Sequence, residues 1–130
     1  MEEKILFEVS SLEKKPKVFQ VGNFYDYYYI ALHFKRDRKK KREICVLLKL
    51  ENIKDLIKYL EDPNEEKIVL TCTCQSEMLA FTKFEGLLYV DFFVSYTANF
   101  KKYTFNTFLD KEQQDRLLVI LKKEYGVENV

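Results

Sequence analysis

Residues 77–97 read EMLAFTKFEGLLYVDFFVSYT. Two runs rich in aromatic and β-branched residues flank Glu85-Gly86, and so short a spacer containing glycine predicts a tight turn between antiparallel strands. In the second run Leu88, Val90, Phe92, Val94 and Tyr96 recur at every second position and share one strand face. The turn fixes the sheet as antiparallel, because parallel neighbours need a crossover of roughly a dozen residues or more. Asp91 interrupts the apolar run. Its plain reading is an edge-facing or paired residue, and its chemical reading is a general base.

Downstream, Asn99 to Phe108 returns as a further strand. Asp110 with Gln113 then has the spacing of a capping box. It opens a helix of about 110–125 that buries Leu117, Leu118, Leu121 and Tyr125 and stops at Gly126. Upstream, Lys67 to Gln75 alternates as a strand, with Ile68, Leu70, Cys72 and Cys74 on one side. Before it, Ile53, Leu56, Ile57 and Leu60 give the buried face of a helix at about 52–62, with Asn52 as its cap and Pro63-Asn64 as its end.

Nearer the N-terminus lie strands at Lys4 to Ser10, Lys17 to Val21, Tyr25 to Lys35 and Glu43 to Lys49. Both faces of the Tyr25 to Lys35 strand are apolar, with Tyr28, Ile30, Leu32 and Phe34 against Tyr27, Tyr29, Ala31 and His33, so it reads as central and covered on both sides. The order is two to four strands, a helix, three or four strands and a second helix. That order predicts an α+β fold, an antiparallel β-sheet of about six or seven strands with two amphipathic helices. No internal repeat is visible in the residues.

The chain of 130 residues, 47% hydrophobic and 15% aromatic, can fill one core unaided, so 1–130 reads as a single α+β domain. Three glycines and two prolines leave little linker. No apolar run approaches the roughly 18 residues of a membrane span, the first residues are acidic where a secretory signal is basic, and three cysteines make an odd count. These features predict a cytoplasmic protein with no membrane partner.

The net charge of +1 conceals an asymmetry. Lys35-Arg36-Asp37-Arg38-Lys39-Lys40-Lys41-Arg42 holds seven of the 22 basic residues and one of the 21 acidic ones, so this octet carries +6 and the remainder −5. Lying between two strands, it is expected to be an exposed β-hairpin tip, since unpaired charges resist burial. One reading is a solubilising tip that discourages edge pairing. The other is a binding arm for phosphate or an acidic protein groove, formed by Lys35, Arg36, Arg38, Lys39, Lys40, Lys41 and Arg42.

Other chemistry-bearing residues read more simply. Cys72-Thr73-Cys74 has no second knuckle or histidine pair, so core packing outweighs metal binding. His33 is the only histidine, so any Ser-His-Asp or Cys-His-Asn constellation must use it, and Cys45 across the hairpin could approach it; the plainer reading is an ordinary surface or boundary residue. The three isolated glycines make no phosphate loop, and Glu65-Glu66 lies in a turn. Tyr25, Tyr27, Tyr28 and Tyr29 stand beside the basic octet but alternate between faces, which weakens a base-stacking platform. No catalytic residue, metal ligand or cofactor site is assigned, and the chain reads as a binder rather than an enzyme.

The order of patterns from Tyr27 to Lys123 resembles the small immunity proteins of bacterial polymorphic toxin systems, particularly the WapI-type group. The likeness lies in the strand Tyr28-Tyr29-Ile30-Ala31-Leu32, the strand into Leu50 with the helix Ile53 to Glu61, and the hairpin after Lys67. It continues in Tyr103-Thr104-Phe105 and Leu109-Asp110-Lys111-Glu112 before a leucine-rich helix. The octet is not part of that pattern. The resemblance implies a cytosolic, non-catalytic inhibitor occluding a cognate toxin. The alternative is a nucleic-acid-binding protein, or a phage-encoded antagonist of a host nuclease, acting through the basic hairpin 35–42.

Overall fold

The hairpin encoded in 77–97 is present in a computed structural model of the chain, which describes residues 5–9, 17–24, 27–34, 42–71, 77–96 and 101–124. Glu85 and Gly86 both take positive φ, 51° and 80°, the backbone of a two-residue hairpin turn whose twist matches that of the strands. In chain order the elements are β1 (Ile5–Val9), β2 (Lys17–Phe24), β3 (Tyr27–Phe34), β4 (Arg42–Leu48), α1 (Leu50–Glu61), β5 (Lys67–Thr71), β6 (Glu77–Phe84), β7 (Leu87–Tyr96), β8 (Lys101–Leu109) and α2 (Lys111–Glu124).

The fold is α+β, with two helices and antiparallel pairing throughout. One sheet of six or seven strands is not what forms: eight strands divide into two sheets of four, β1-β2-β3-β4 and β5-β6-β7-β8. Helix α1 intervenes between them, and β4 packs against β6 and β7 while β1 packs against β8. The sheets therefore meet through side chains. Each has one apolar face, and closing both over a shared interior removes more apolar surface from water than extending one sheet.

That interior is continuous. Phe19, Ile30, Leu32 and Val46 of the first sheet join Leu79, Phe81, Val90 and Phe92 of the second, with Leu56, Ile57, Leu117 and Leu121 from the helices. Both faces of β3 are covered as expected, since Tyr29 and Ala31 are buried as well as Ile30 and Leu32.

Although the residues show no repeat, the element order does: four strands and a helix occur twice. The last pair of the β2–β3 ladder is Phe24↔Tyr27 and that of β6–β7 is Phe84↔Leu87. When these ends are overlaid, Gly22↔Tyr29 falls on Thr82↔Tyr89, and Ala31↔Cys45 falls on Asp91↔Asn106.

Both helices open on a side chain at their third position. At α2 the Asp110 N–H donates to Gln113 Oε1 at 2.9 Å and the Gln113 N–H donates to Asp110 Oδ1 at 2.8 Å, the reciprocal box expected there. At α1 the cap residue is Lys49, not Asn52. The β4 ladder ends at Leu48 and the chain turns into helix at once, so Asn52 lies inside, where its Oδ1 accepts the Lys49 N–H at 3.0 Å. Gln114 ties α2 to the sheet by donating to the carbonyls of Gly86 (2.9 Å) and Leu109 (3.0 Å). No described helix is long and apolar enough to cross a membrane. Tyr125 and Gly126, the expected end of α2, lie outside the described residues.

Candidate functional site

Strands β2, β3 and β4 of the first sheet, and β6, β7 and β8 of the second, send alternate residues away from the shared core. The two outer faces differ. On the first sheet Tyr29 lies flat over its neighbour Gly22: a Cβ added to Gly22 would stand 2.6 Å from the Tyr29 hydroxyl oxygen and 2.7 Å from Cζ. Only glycine leaves room for the ring, which is 9% exposed, and Ala31 beside it is fully buried. This part of the face is closed.

On the second sheet Thr82 occupies the position of Gly22, and Tyr89 is only half-buried. Around them lies an open recess of about 360 Å³ lined by Thr82, Phe84, Tyr89, Asp91, Asn106 and Thr107. Phe84 is 59% exposed at its rim. Tyr89 stacks at a tilt on Phe108, their centroids 6.0 Å apart. Phe93, two residues beyond Asp91, is half-buried on the same face, and Val69 and Met78 add exposed apolar surface. An aromatic sheet face open to solvent is suited to stacking planar rings.

Asp91 is neither at an edge nor paired: β7 lies between β6 and β8, and among the described residues no hydrogen bond or ion pair reaches its carboxylate. Burial pushes that carboxyl above the usual range, an effect that the positive charge of Lys67 partly offsets.

The basic octet lies outside the described residues apart from Arg42. Val9↔Lys17, Lys17↔Phe34 and Phe34↔Arg42 form one row across the end of the first sheet. The described strands on either side of residues 10–16 and 35–41 all end at this row, and Arg42 stands in it.

The remaining candidates do not assemble a reactive centre. His33 pairs in register with Val18 and Glu43, not with Cys45. Cys72 and Cys74 lie outside the described residues, and no group of His, Cys, Asp or Glu able to hold a metal occurs among those described. Burial pushes the Lys83 ammonium below its ordinary range, but Lys83 Nζ is committed to helix α1 rather than to chemistry. It donates to the carbonyls of Tyr59 and Asp62, each at 2.6 Å, and stands 4.3 Å from the centre of the Tyr59 ring. These contacts close the C-terminal end of α1. The Tyr59 hydroxyl donates to the Glu66 carbonyl at 2.8 Å, and burial, aided by Glu65, pushes it up to about 12. Glu77 faces inward at the start of β6. Its Oε2 is buried with no hydrogen-bond partner among the described residues, and burial raises the carboxyl.

Reading 77–97 for its core face alone misses this site. The signal was the complementary set, since Tyr89, Asp91 and Phe93 alternate with the core residues and are too aromatic for an ordinary solvated face.

The chain matches no known protein-family model and no curated protein. Its fold matches solved structures at low identity. The Trypanosoma brucei MRP1/MRP2 structure aligns with a TM-score of 0.77 and 11% identity, covering 99% of this chain and 87% of that one. A guide RNA-binding protein complex bound to a guide RNA gives 0.74 and 10%, covering 98% and 91%. WHY1 from Arabidopsis thaliana gives 0.59 and 9%, covering 99% and 87%.

Proposed function

We propose that this protein is a non-enzymatic binder of single-stranded nucleic acid, RNA foremost, which holds bases on the outer face of its second sheet and phosphates at the basic end of its first. The observation that carries this reading is the open aromatic face of β6, β7 and β8, where Phe84 and Tyr89 line a recess and Phe108 packs against Tyr89. Stacking on such rings contributes about 1–3 kcal/mol per base and tolerates any sequence. Clustered positive charge supplies the complementary attraction for the backbone. The shared fold with a complex bound to a guide RNA supports the same class of ligand.

The test is fluorescence anisotropy with labelled single-stranded RNA, single-stranded DNA and duplex probes across a salt series. Single strands are expected to bind best, with log affinity falling linearly against log salt, by about 0.7 for each phosphate neutralised. Replacing Lys39, Lys40 and Lys41 with glutamate is expected to abolish retention. Failure of every single-stranded probe to bind at low salt would defeat the proposal. Retention of a cellular protein under those conditions would return attention to the toxin-inhibitor reading.

A further inference from the structure

We infer that the recess around Asp91 is a guanine pocket, a specificity-determining subsite that gives the second sheet a base preference absent from the first. This rests on the nucleic-acid reading above and goes beyond it, since stacking and phosphate attraction do not distinguish bases.

The inference begins from an electrostatic misfit. A carboxylate at the centre of a face that stacks the bases of an anionic strand has the wrong sign for the strand's backbone, and half-burying it without a partner is costly. Asp91 nevertheless lines the recess on the inner strand β7, with no hydrogen bond or ion pair among the described residues. A lone carboxylate is no metal site, and no cluster of potential metal ligands accompanies it. Its two oxygens offer a pair of acceptors side by side. Guanine presents two adjacent donors, N1–H and the N2 amino group, on its Watson–Crick edge. Adenine and cytosine present one amino donor next to an acceptor, and uracil one N–H between two carbonyls. Guanine alone matches both oxygens.

The surroundings fit the same ligand. Tyr89 and Phe84 line the recess with rings that can hold a purine, and about 360 Å³ is a small-ligand volume. In the first sheet the position of Asp91 is Ala31, and Tyr29 fills the space over Gly22. The arrangement that would read a base is therefore present once.

The test uses the full chain and four RNA 12-mers of uridine, one unmodified and three bearing a single central guanosine, inosine or adenosine. Guanosine is expected to tighten binding about ten-fold over uridine, the lower part of the range for a bidentate base contact. Inosine, which lacks the N2 amino group, should fall between the two, and adenosine should match uridine. Asp91→Asn, nearly isosteric, should bring the guanosine and uridine probes to equal affinity. Equal affinities for all four probes with the native chain, or a guanosine preference that survives in Asp91→Asn, would overturn the pocket and leave the general reading standing. Loss of binding to all four would overturn both.

Discussion

The two outer sheet faces share a register and differ in what their tyrosines do. Tyr29 lies over the bare backbone of Gly22, whereas Tyr89 stands across from Thr82 and lines an open recess with it. The residue that decides whether a strand face is closed or open is thus not the aromatic one. It is the cross-strand neighbour, whose size sets how closely a ring approaches the backbone.

The comparison can be tested at several depths, beginning with the core that both halves share. Phe92 of β7 and Leu32 of β3 occupy equivalent, fully buried positions. Phe92→Ala is expected to cost about 3–5 kcal/mol and Leu32→Ala about 2–5 kcal/mol. Because the cluster is continuous, urea denaturation should show one transition in both variants. Two separate transitions would mean that the halves are independent units. Next in size is Lys83→Met, which strips the cation from the end of α1 and takes a donor from two carbonyls, of which that of Tyr59 keeps only the Asp62 N–H at 3.3 Å. A loss of about 1–3 kcal/mol in the same assay is expected.

Exchanging the deciding residues addresses the faces directly. Gly22→Thr must drive the Tyr29 ring off the sheet, at a cost of about 1–3 kcal/mol, with the ring protons of Tyr29 becoming solvent-exposed by NMR. Thr82→Gly permits Tyr89 to settle and close the recess, and should diminish the guanosine preference while leaving the salt dependence as it was. An unmoved Tyr29 in the first variant would show that Gly22 does not control the ring.

The smallest effect concerns pH. Burial raises Glu77 above its ordinary 4.5, so the folded chain holds this proton more tightly than the unfolded chain does. The associated stability is full below pH 4.5 and is lost as pH rises through the folded value. Glu77→Gln should therefore raise the Tm at pH 7 and flatten the stability profile above pH 4.5. An unchanged profile would show that the carboxylate finds solvent or a partner.

Much of the fold was legible where the information is local. The Glu85-Gly86 turn, the Asp110–Gln113 box and the order of strands and helices follow from spacing alone. The division into two sheets was not legible, because alternation records which face of a strand is apolar but not which edge it joins. The start of α1 was misplaced because Lys49 is no capping residue by type, and the Asn52 side chain serves equally well from inside the helix. The site eluded a reading centred on charge. Asp91 was noticed, but its exposure to a recess depends on Thr82, Phe84 and Asn106, which belong to other strands or lie far off in sequence. Of the basic octet, only Arg42 lies among the described residues, at the end of the first sheet.

The doubled four-strand-and-helix unit bears on ancestry. Either unit alone would leave much of the inner face of its sheet in water, covered only by its own helix, so a forerunner half as long would have gained from pairing with a second copy of itself. Fusing two such copies into one chain frees them to diverge: one can keep a glycine and a sealed surface while the other acquires a threonine, a carboxylate and a cleft, without either change being imposed on both.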